Sequence, residues 1–340
     1  MAACDAIVDL QHGDTGKGKV AHHLLKEGVY DLVLRYNGGS NAGHTIYHDG
    51  QKIVTHQVPA GVLYGIPSLI GLGCVVNMAK LEAEVNELRA AGITDIERNL
   101  FIDYRCHVVS DQHVARDIKN SDRLGVATIG STGQGIGPAY SDKYTRIGRR
   151  LIDTYGQKRS KLDFATVCDG FEILQGVRCI LAEGAQGFQL DIDWGDYPFV
   201  TSSHCTIGGV ILNGVRPQAI RKVYGIMKGY DTYVGDKIFS DMNNPIFQAI
   251  AKEGNEFGAT TGRGRQVNWT NITDVKRAAQ VNGCTTIIIN KIDVLENLGT
   301  FGLIMNNREI RFNDFAHYKQ VVDQHLAEYD VVWSRSPEHI

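Results

Sequence analysis

Residues 11–20, QHGDTGKGKV, decide how the rest of this chain is interpreted. They follow a short apolar run at 6–10 and precede a helix-like segment at 21–27, which Gly28 ends. A strand, a glycine loop and a helix in this order direct backbone N–H groups and a helix N-terminus at one point, where a phosphate commonly binds. The simpler interpretation is a glycine turn with two solvated lysines. The flanking strand and helix favour the phosphate site.

The loop departs from a P-loop at one position. Gly13 to Lys19 fits the spacing G-x-x-x-x-G-K, but Val20 follows where a P-loop has Ser or Thr. That hydroxyl holds Mg²⁺ in a P-loop, so another oxygen must do so here if a nucleotide–metal complex binds. Asp14 lies inside the loop, and hard cations take carboxylate oxygens. We therefore expect Asp14 to be a metal ligand.

The composition is that of an ordinary globular protein. The chain has 340 residues, 43% of them hydrophobic, and a formal net charge of −3. This charge provides no basic surface for a nucleic acid, and no apolar run approaches the length of a membrane span. The seven scattered cysteines include no C-x-x-C pair and follow no signal peptide, which predicts reduced thiols in a cytoplasmic protein. No linker or repeat divides the chain, so a single domain over 1–340 is expected.

Apolar runs and helical patterns alternate along the chain. Strands are predicted at 31–35, 69–76, 99–104, 178–182, 222–229 and 285–290, and helices at 79–91, 244–252, 272–281 and 314–328. This alternation predicts an α/β fold with a mainly parallel central sheet and helices on both faces. Two polar glycine-rich stretches, 37–45 and 130–140, are predicted to be irregular loops. Loops that follow strands carry ligand-binding groups in such folds.

Single polar residues in these loops allow more than one interpretation. His44 stands between glycine and threonine with no apolar periodicity around it, and a lone histidine is more often structural than functional. Ser131 and Thr132 would either bind a phosphate or form a turn. Arg146, with two further arginines nearby, suits bidentate phosphate contact, although such residues more often provide surface charge.

Two short motifs lie nearer the C-terminal end. Arg263 and Arg265 stand at alternate positions and would point the same way in an extended segment. That arrangement suits a small dicarboxylate, with one guanidinium on each carboxylate. Residues 290–293, N-K-I-D, follow an apolar strand as in many GTP-binding proteins, where the aspartate accepts hydrogen bonds from guanine. Four residues recur by chance, so this motif alone is modest evidence.

Taken together, these motifs resemble those of adenylosuccinate synthetases, in that family's order and from near the start of the chain to its end. The matching stretches are GDTGKGK at 13–19, NAGHT at 41–45, residues 131–140, EGAQG at 183–187, YPFVTSS at 197–203, residues 260–265 and KID at 291–293. The resemblance implies that family's α/β fold, which is related to P-loop proteins. It also implies a ligase of purine nucleotide biosynthesis that uses GTP to join L-aspartate to C6 of a purine nucleoside monophosphate, IMP in the ordinary reaction.

The resemblance also assigns the chemical steps. Asp14 would remove the N1 proton and bind Mg²⁺ together with the Gly43 carbonyl, and the 6-oxygen would then attack the γ-phosphate. His44 would donate a hydrogen bond or a proton to the transferring group, Lys17 would offset phosphate charge, and Gln186 would hold the 6-oxygen. The amine of aspartate would finally displace the 6-phosphate.

Three binding sets follow from the same resemblance. Around GTP it places Gly13, Thr15, Gly16, Lys17, Gly18, Lys19, Gly43, His44, Thr45, Arg265, Lys291, Ile292, Asp293, Ser334, Arg335 and Ser336. Around the purine monophosphate it places Asp14, Asn41, Thr132, Arg146, Gln186, Thr201 and Arg263, with Arg146 reaching across from the second subunit of a homodimer. Around aspartate it places Ala259, Thr260, Thr261, Gly262, Arg263 and Arg265.

Departures from the family pattern leave the purine open. Thr15 replaces a glutamate and Gln134 an arginine. Both changes, with GSTGQG at 130–135 and the short length, resemble phage N6-succino-2-amino-2′-deoxyadenylate synthases, which act on dGMP with ATP or GTP. Those enzymes usually have serine at the position of Asp14. Keeping Asp14 and the N-K-I-D motif favours IMP and GTP, which we place first, although Ser336 in place of a glycine weakens the case for GTP over ATP.

Two interpretations from other classes stay open. A catalytically idle nucleotide-binding protein would need no base or acid, yet Asp14, Lys17, His44 and Gln186 are all present. A P-loop NTPase would release phosphate without aspartate, and Val20 counts against it. Both are less favoured than a ligase.

Overall fold

The computed structural model describes residues 2–121, 130–258, 262–336 and 340, without the side chains of residues 120 and 121. Three residues predicted to bind aspartate, Ala259, Thr260 and Thr261, lie outside the described residues. In the described part of the chain the eighteen strands are β1 (Ala3–Asp9), β2 (Leu32–Arg35), β3 (His44–His48), β4 (Gln51–Thr55), β5 (Ser68–Ile70), β6 (Val75–Val76), β7 (Leu100–Asp103), β8 (His107–Val108), β9 (Ser160–Lys161), β10 (Thr166–Cys168), β11 (Cys179–Glu183), β12 (Ile220–Lys228), β13 (Tyr230–Tyr233), β14 (Gln266–Asn271), β15 (Thr286–Asn290), β16 (Phe301–Met305), β17 (Arg308–Phe312) and β18 (Asp330–Trp333).

The same part of the chain forms twelve α-helices and three short 3₁₀ helices. The α-helices are α1 (Lys17–Lys26), α2 (Met78–Ala90), α3 (Ile96–Asn99), α4 (Asp111–Ser121), α5 (Ile136–Thr145), α6 (Leu151–Tyr155), α7 (Gly170–Gln175), α8 (Gly208–Leu212), α9 (Pro245–Glu253), α10 (Ile272–Asn282), α11 (Ile292–Leu298) and α12 (Phe315–His325). The 3₁₀ helices are Ala60–Tyr64, Phe188–Leu190 and Pro217–Ala219.

Ten of the strands form one large sheet in the order β18-β15-β12-β1-β11-β2-β5-β7-β10-β9. Every neighbouring pair in it is parallel except β9 with β10. β1 lies inside the sheet, between β12 and β11. The loop at 10–16 therefore leaves the carboxyl edge of a parallel sheet, where α/β proteins bind their ligands.

Neighbouring residues of β1 pack into different cores. Ile7 lies in an apolar cluster with residues of α1 and α2, whereas Val8 lies in a cluster with residues of α9, α10 and α12. Successive side chains of a strand point to opposite faces, so the two clusters cover the two faces of the sheet. The prediction of a mainly parallel α/β sheet with helices on both faces is confirmed.

Two element predictions were wrong. The run at 69–76 is not one strand, because a turn in which Cys74 N donates to the Gly71 carbonyl at 2.9 Å separates β5 from β6, and these belong to different sheets. The stretch at 130–140 is not irregular throughout, because α5 begins at Ile136. Proline is tolerated in the first turn of a helix, so Pro138 does not prevent this start.

The sequence analysis did not predict two smaller strand groups. β13, β14, β16 and β17 form a four-stranded sheet, and β3 and β4 form a hairpin. His44, predicted to lie in a loop, is the first residue of β3. Strands this short and this polar carry weak local signals, because their pairing depends on distant partners.

Within the described ranges, no helix has both the length and the apolar character needed to cross a membrane. All seven cysteines are free and buried. The single domain over residues 1–340 stays a prediction.

Candidate active site

The glycine loop between β1 and α1 packs tightly against two other segments. α1 begins at Lys17, and the preceding Gly16 has a left-handed φ of 96°. A Cβ atom on Gly16 would lie 2.8 Å from Nδ2 of Asn290, and one on Gly18 would lie 2.6 Å from the carbonyl oxygen of Thr45. Only glycine permits this approach. The loop thus places the N-terminus of α1 against the end of β15 and the start of β3.

One buried carboxylate, missed by the sequence analysis, shapes this loop. The Asp9 side chain is fully buried at the end of β1. It accepts hydrogen bonds from Lys17 Nζ at 2.7 Å and from the Thr15 hydroxyl at 2.5 Å. It also accepts from the backbone N–H groups of Gln11 at 3.0 Å and Gly13 at 3.3 Å. A buried carboxylate needs such donors, and a charged residue inside the apolar run at 6–10 was the available sequence signal.

Lys17 is held at a second point by the peptide of Gln186. Its Nζ atom donates to the Gln186 carbonyl at 2.6 Å, and the lysine is buried. Gln186 and Asp14 have left-handed φ angles of 58° and 56°. Such angles cost free energy for residues other than glycine and concentrate where function fixes the backbone. Both residues are among the predicted site residues.

Two adjoining cavities open around the loop. The first, which we call the Gln186 cavity, is lined by the predicted site residues Gly13, Asp14, Lys17, Asn41, Gly43, His44, Thr132, Gln186, Thr201 and Arg263. The second, which we call the Lys291 cavity, is lined by the predicted site residues Asp14, Thr15, Gly16, Lys17, Gly18, Lys19, Gly43, His44, Thr45, Arg265, Lys291, Asp293 and Ser336.

The two cavities share Asp14, Lys17, Gly43 and His44 among the predicted site residues. Three of these four were assigned to the chemistry, and the other was assigned a metal-binding carbonyl. The shared residues form the boundary across which a group could pass from a molecule in one cavity to a molecule in the other. Acidic, basic and carbonyl groups at such a boundary suit phosphoryl transfer, which depends on positioning and electrostatics.

His44 is buried at this boundary beside a permanent cation. Its Nδ1 atom lies 3.1 Å from Arg35 Nη1, which also donates to Glu183 Oε1 at 3.3 Å. Burial lowers the pKa of His44 well below its usual range, and the charges of Arg35, Lys17 and His56 lower it further. Because a guanidinium can only donate, the neutral ring accepts from Arg35 and keeps one N–H for another partner. The sequence analysis gave Arg35 and Glu183 no role, although each ends an apolar strand.

The polar groups of the Gln186 cavity are largely neutral. Gln186 Oε1 and Asn41 Oδ1 are buried and make no hydrogen bond within the described residues. A buried unpaired polar atom costs about 1–3 kcal/mol, which a ligand in this cavity could recover. A carboxamide carries both donors and an acceptor, and Thr132 and Thr201 add hydroxyl groups. This lining suits the polar edge of a base or a phosphate.

The structure divides the two nearby arginines between the cavities. Arg263 lines the Gln186 cavity and Arg265 lines the Lys291 cavity. Arg265 Nη1 pairs with Glu256 at 2.5 Å, and its Nε atom lies 3.0 Å from Asp14 Oδ2. The expectation that both side chains point the same way depended on an extended segment, whereas residues 262–265 lie outside the strands.

The N-K-I-D motif lies along the Lys291 cavity and plays two parts there. Lys291, with a left-handed φ of 61°, and Asp293 both line the cavity. Asn290 also lines the cavity, and it holds the glycine loop, because its Nδ2 atom donates to the Thr15 carbonyl at 2.7 Å. The motif therefore connects the loop to the end of the cavity where a base would lie.

Lys19 connects the same cavity to the C-terminal segment. Its Nζ atom donates to the Ser334 hydroxyl at 2.6 Å and to the Ser336 carbonyl at 2.9 Å. Burial lowers the pKa of Lys19 to about 8. Ser334 is buried and contacts the cavity lining through Lys19, whereas Ser336 lines the cavity itself.

Some predicted site residues line neither cavity of this chain. Ile292 belongs to the apolar core, and Arg335 pairs with Glu296 at 3.2 Å. Arg146 is exposed at the end of α5 with a left-handed φ of 65°. Gly262 also lies outside both linings.

One group of possible metal ligands lies away from both cavities. Asp191, Asp193 and His204 bring ligand atoms within 4.8 Å of one another. The oxygens of the buried Asp191 carboxylate already accept from the N–H groups of Asp193 at 3.0 Å, Trp194 at 3.2 Å and Cys205 at 2.5 Å. These hydrogen bonds give the Asp191 carboxylate a structural role, because they hold the backbone of its loop in place.

Comparison with known proteins shows the family of this chain. The adenylosuccinate synthetase family profile matches residues 6–173 and 170–332. This chain belongs to the adenylosuccinate synthetase family. An adenylosuccinate synthetase from Shouchella clausii (strain KSM-K16) is 37% identical over 376 residues, which cover 97% of this chain and 85% of that relative. The resemblance inferred from the motifs is confirmed.

Solved structures of adenylosuccinate synthetase and of a phage enzyme share the fold. The fully ligated adenylosuccinate synthetase of Plasmodium falciparum superposes with a TM-score of 0.84 at 27% identity, covering 98% of this chain and 97% of that one. The succinoaminodeoxyadenylate synthetase of cyanophage S-2L, bound to dGMP and dATP, superposes with a TM-score of 0.78 at 23% identity, covering 99% of this chain and 94% of that one. At that identity the second likeness concerns the fold alone.

Membership of the adenylosuccinate synthetase family identifies the chain as a carbon–nitrogen ligase of purine biosynthesis with nucleotide and aspartate substrates. The prediction of a carbon–nitrogen ligase is confirmed. The alternative of a catalytically idle nucleotide-binding protein was the less favoured one.

Proposed function

We propose that this enzyme joins L-aspartate to C6 of IMP, with GTP as the phosphoryl donor. The observation that carries the proposal is the boundary of Asp14, Lys17, Gly43 and His44 shared by the two cavities. IMP would bind in the Gln186 cavity and GTP in the Lys291 cavity. The 6-oxygen of the purine and the γ-phosphate would then meet at these residues.

The reaction would proceed in two steps. Asp14 would take the N1 proton of IMP, and the 6-oxygen would form a bond to the γ-phosphorus while the bond to the departing GDP breaks. Lys17 would balance the charge of the phosphates, and the N–H of neutral His44 would hydrogen-bond the transferring group. The amine of L-aspartate would then attack C6, lose a proton and displace the 6-oxygen as phosphate. Gln186, with its unpaired carboxamide oxygen, would hold the 6-position.

The residues at the boundary fit Mg²⁺. Asp14 offers a partly exposed carboxylate, and Gly43 lines both cavities with its backbone. Mg²⁺ prefers such oxygen ligands, and Val20 offers none. When bound, the ion would reduce the negative charge on the nucleotide phosphates. Asp14 would have to leave Arg265 to bind it fully.

The structure supports IMP over dGMP through the placement of the departures from the family pattern. Thr15 donates to buried Asp9, and Gln134 accepts from Lys80 on the surface. Neither lines the Gln186 cavity, whereas Asp14 does. The two changes that favour dGMP are thus not in the lining of the proposed acceptor site.

A second candidate function is the ligation of aspartate to dGMP, with ATP or GTP as donor. It is favoured by Ser131 and Thr132, which belong to the phage-like stretch 130–135 and do line the Gln186 cavity. Contacts from this stretch to the sugar or phosphate could select a deoxynucleotide. Because Asp14 lines the Gln186 cavity, IMP stays the favoured acceptor.

The aspartate site, the dimer and the location belong to the same proposal. Arg263 and Arg265, with residues 259–262, would hold L-aspartate. Arg146 is exposed and lines neither cavity of its own chain, which suits a role in the site of a second subunit of a homodimer. The free thiols support a cytoplasmic location.

The test is phosphate release by the purified protein with Mg²⁺ and L-aspartate, in which IMP, GMP and dGMP are each combined with GTP and ATP. The proposal predicts the highest rate with IMP and GTP, and no release when aspartate or the purine monophosphate is omitted. Release only with dGMP would establish the second candidate. Release from GTP alone at the full rate would contradict both and indicate an NTPase.

A further inference from the structure

We infer that Glu256 is a positioning residue that ties the donor-base end of the Lys291 cavity to the arginine proposed to hold aspartate. Through it, binding of the donor nucleotide and binding of the dicarboxylate would strengthen each other. The inference rests on the proposed function for the assignment of the two ligands. Its evidence is a buried ionic cluster that the motifs did not indicate.

Glu256 is surrounded by four donors from three parts of the chain. Its side chain is fully buried, and its Oε2 atom lies 2.5 Å from Arg265 Nη1. Its Oε1 atom accepts from the Tyr230 hydroxyl at 2.6 Å, and lies 3.4 Å from Lys228 Nζ and 3.8 Å from Lys291 Nζ. One carboxylate group therefore faces three cations and a hydroxyl group.

The charge of this carboxylate is fixed. Burial alone would raise the pKa of Glu256, but the charges of Lys228, Arg265 and Lys291 hold it at about 2. Glu256 is therefore ionised in any ordinary assay. A buried ion pair is costly to break because the remaining charges lose their compensation. The cluster is thus a rigid connection.

Two members of the cluster lead to different ligands. Lys291 lies in the N-K-I-D motif, and Arg265 reaches Asp14 at 3.0 Å. Both line the Lys291 cavity, whereas Lys228 and Tyr230 are fully buried and line neither cavity. A purely structural carboxylate would need only the buried pair. Contact with the two lining cations is what relates Glu256 to ligand binding.

Backbone hydrogen bonds make the connection stiff. Lys291 Nζ donates to the Gly254 carbonyl at 2.6 Å. Arg265 N donates to the Glu256 carbonyl at 3.0 Å, and Gly258 N donates to the Arg263 carbonyl at 2.8 Å. The segment around Glu256 is thus tied to Lys291 on one side and to both arginines on the other. A shift of either end would move the other.

The consequence is a measurable coupling between two ligands. A donor nucleotide that draws Lys291 to its base would shift Glu256 and, through it, Arg265 towards the position that receives a carboxylate. Such coupling is reciprocal and commonly amounts to a factor of about 5–150 in affinity. It should disappear when the carboxylate is replaced by a neutral group of the same shape.

The experiment uses two probes that cannot react. GDP lacks the γ-phosphate, and succinate is a dicarboxylate without an amine, so calorimetry measures binding alone. In the full-length protein with Mg²⁺, we expect saturating GDP to lower the dissociation constant of succinate by about fivefold or more. In the Glu256→Gln variant both probes should still bind, but saturating GDP should leave the dissociation constant of succinate almost unchanged. The coupling factor, which is the ratio of the succinate dissociation constants without and with GDP, should then be near one. The control Glu328→Gln, at an exposed carboxylate paired with Lys276, should keep the original factor.

Three results would overturn the inference: a factor of one in the unaltered protein, an unchanged factor in Glu256→Gln, or a lost factor in Glu328→Gln. If circular dichroism shows that Glu256→Gln does not fold, Glu256→Asp replaces it. This shorter side chain keeps the charge but cannot reach both ends, so an unchanged factor would again contradict the inference. The phosphate-release assay is independent of this test. An active ligase without coupling would overturn the inference alone, and coupling without turnover would overturn the proposed function alone.

Discussion

In the Gln186 cavity the polar side chains are mostly neutral, and two carboxamide oxygens make no hydrogen bond within the described residues. In the Lys291 cavity three cationic side chains already have internal partners, since Lys17 is held by Asp9, Lys19 by Ser334 and Arg265 by Glu256. The two cavities share a boundary but are prepared for their ligands in different ways.

This difference has a physical reason. A site for a polyphosphate must hold several cations close together without a ligand, and buried carboxylates such as Asp9 and Glu256 reduce the repulsion. Cations fixed in advance also need no reorganisation during phosphoryl transfer. A purine presents neutral donors and acceptors instead, so carboxamides can stay unpaired until it binds, at a modest cost.

The largest effect is expected at the shared boundary. Asp14→Asn removes the proposed base and one metal ligand while keeping the side-chain shape. Turnover should fall by about 10³-fold or more, because general base catalysis alone contributes about 10²–10⁴. Phosphate release with IMP, GTP and aspartate measures it. The control Asp95→Asn, at an exposed carboxylate paired with Arg98, should leave the rate unchanged. If Asp14→Asn kept its activity, the catalytic role proposed for the shared boundary would be contradicted.

A change in the Gln186 cavity should affect the acceptor side alone. Gln186→Asn shortens the carboxamide, and asparagine tolerates the left-handed backbone found there. We expect kcat/KM for IMP to fall by about 10²-fold, because a misplacement of about 1 Å can cost that much. The KM for GTP should change little. Equal losses for both substrates would show that the two cavities are not separate in function.

A change at Asp9, which lines neither cavity but holds Lys17, should affect stability and the donor side together. Asp9→Asn leaves Lys17 buried without its carboxylate, so we expect the free energy of unfolding in urea to fall by about 3 kcal/mol. The KM for GTP should rise while that for IMP stays near its original value. Thr15→Val removes only a hydroxyl from the same carboxylate, and its cost should be nearer 1 kcal/mol. A larger loss for Thr15→Val than for Asp9→Asn would contradict the role given to the ion pair.

The smallest effect is expected from pH. Burial lowers the pKa of Lys19 to about 8, so this lysine is charged below that pH and becomes neutral above it. A neutral amine attracts a triphosphate less, and kcat/KM reports the free enzyme. Between about pH 7 and pH 9, kcat/KM for GTP should fall about fivefold, since such a contact is worth up to about 1 kcal/mol. Lys19→Arg should remove this fall, and its persistence in that variant would exclude Lys19 as the cause.

The sequence was most informative where a local pattern decides the structure. The apolar run at 6–10 followed by the glycine loop predicted β1, the loop and α1, and the ordered motifs predicted many of the residues that line the two cavities. Both elements begin earlier than predicted, β1 at Ala3 and α1 at Lys17, so residues 17–20 belong to the helix and not to the loop. Motifs of this kind can be recognised in a sequence because the geometry of the loop itself requires each of their residues.

The sequence was least informative where a partner is distant along the chain. Asp9, Arg35 and Glu256 give no local sign of the cations or rings that they hold, because those partners come from other elements. The small sheet of β13, β14, β16 and β17 was missed for the same reason. Arg263 and Arg265 were predicted to point the same way, but they line separate cavities, although Gly264 between them pairs with Phe257 in an antiparallel bridge.

The central claim is that the γ-phosphoryl group of GTP crosses the boundary to the 6-oxygen of the acceptor. The most direct test is turnover of IMP carrying ¹⁸O at the 6-position, with GTP, Mg²⁺ and L-aspartate, followed by mass analysis of the released phosphate. The account predicts that each phosphate released carries the label, because the 6-oxygen leaves with it when aspartate attacks C6. Unlabelled phosphate, formed at the same rate as the ligation product, would contradict the account, because the phosphoryl group would then have gone to water and not across the boundary.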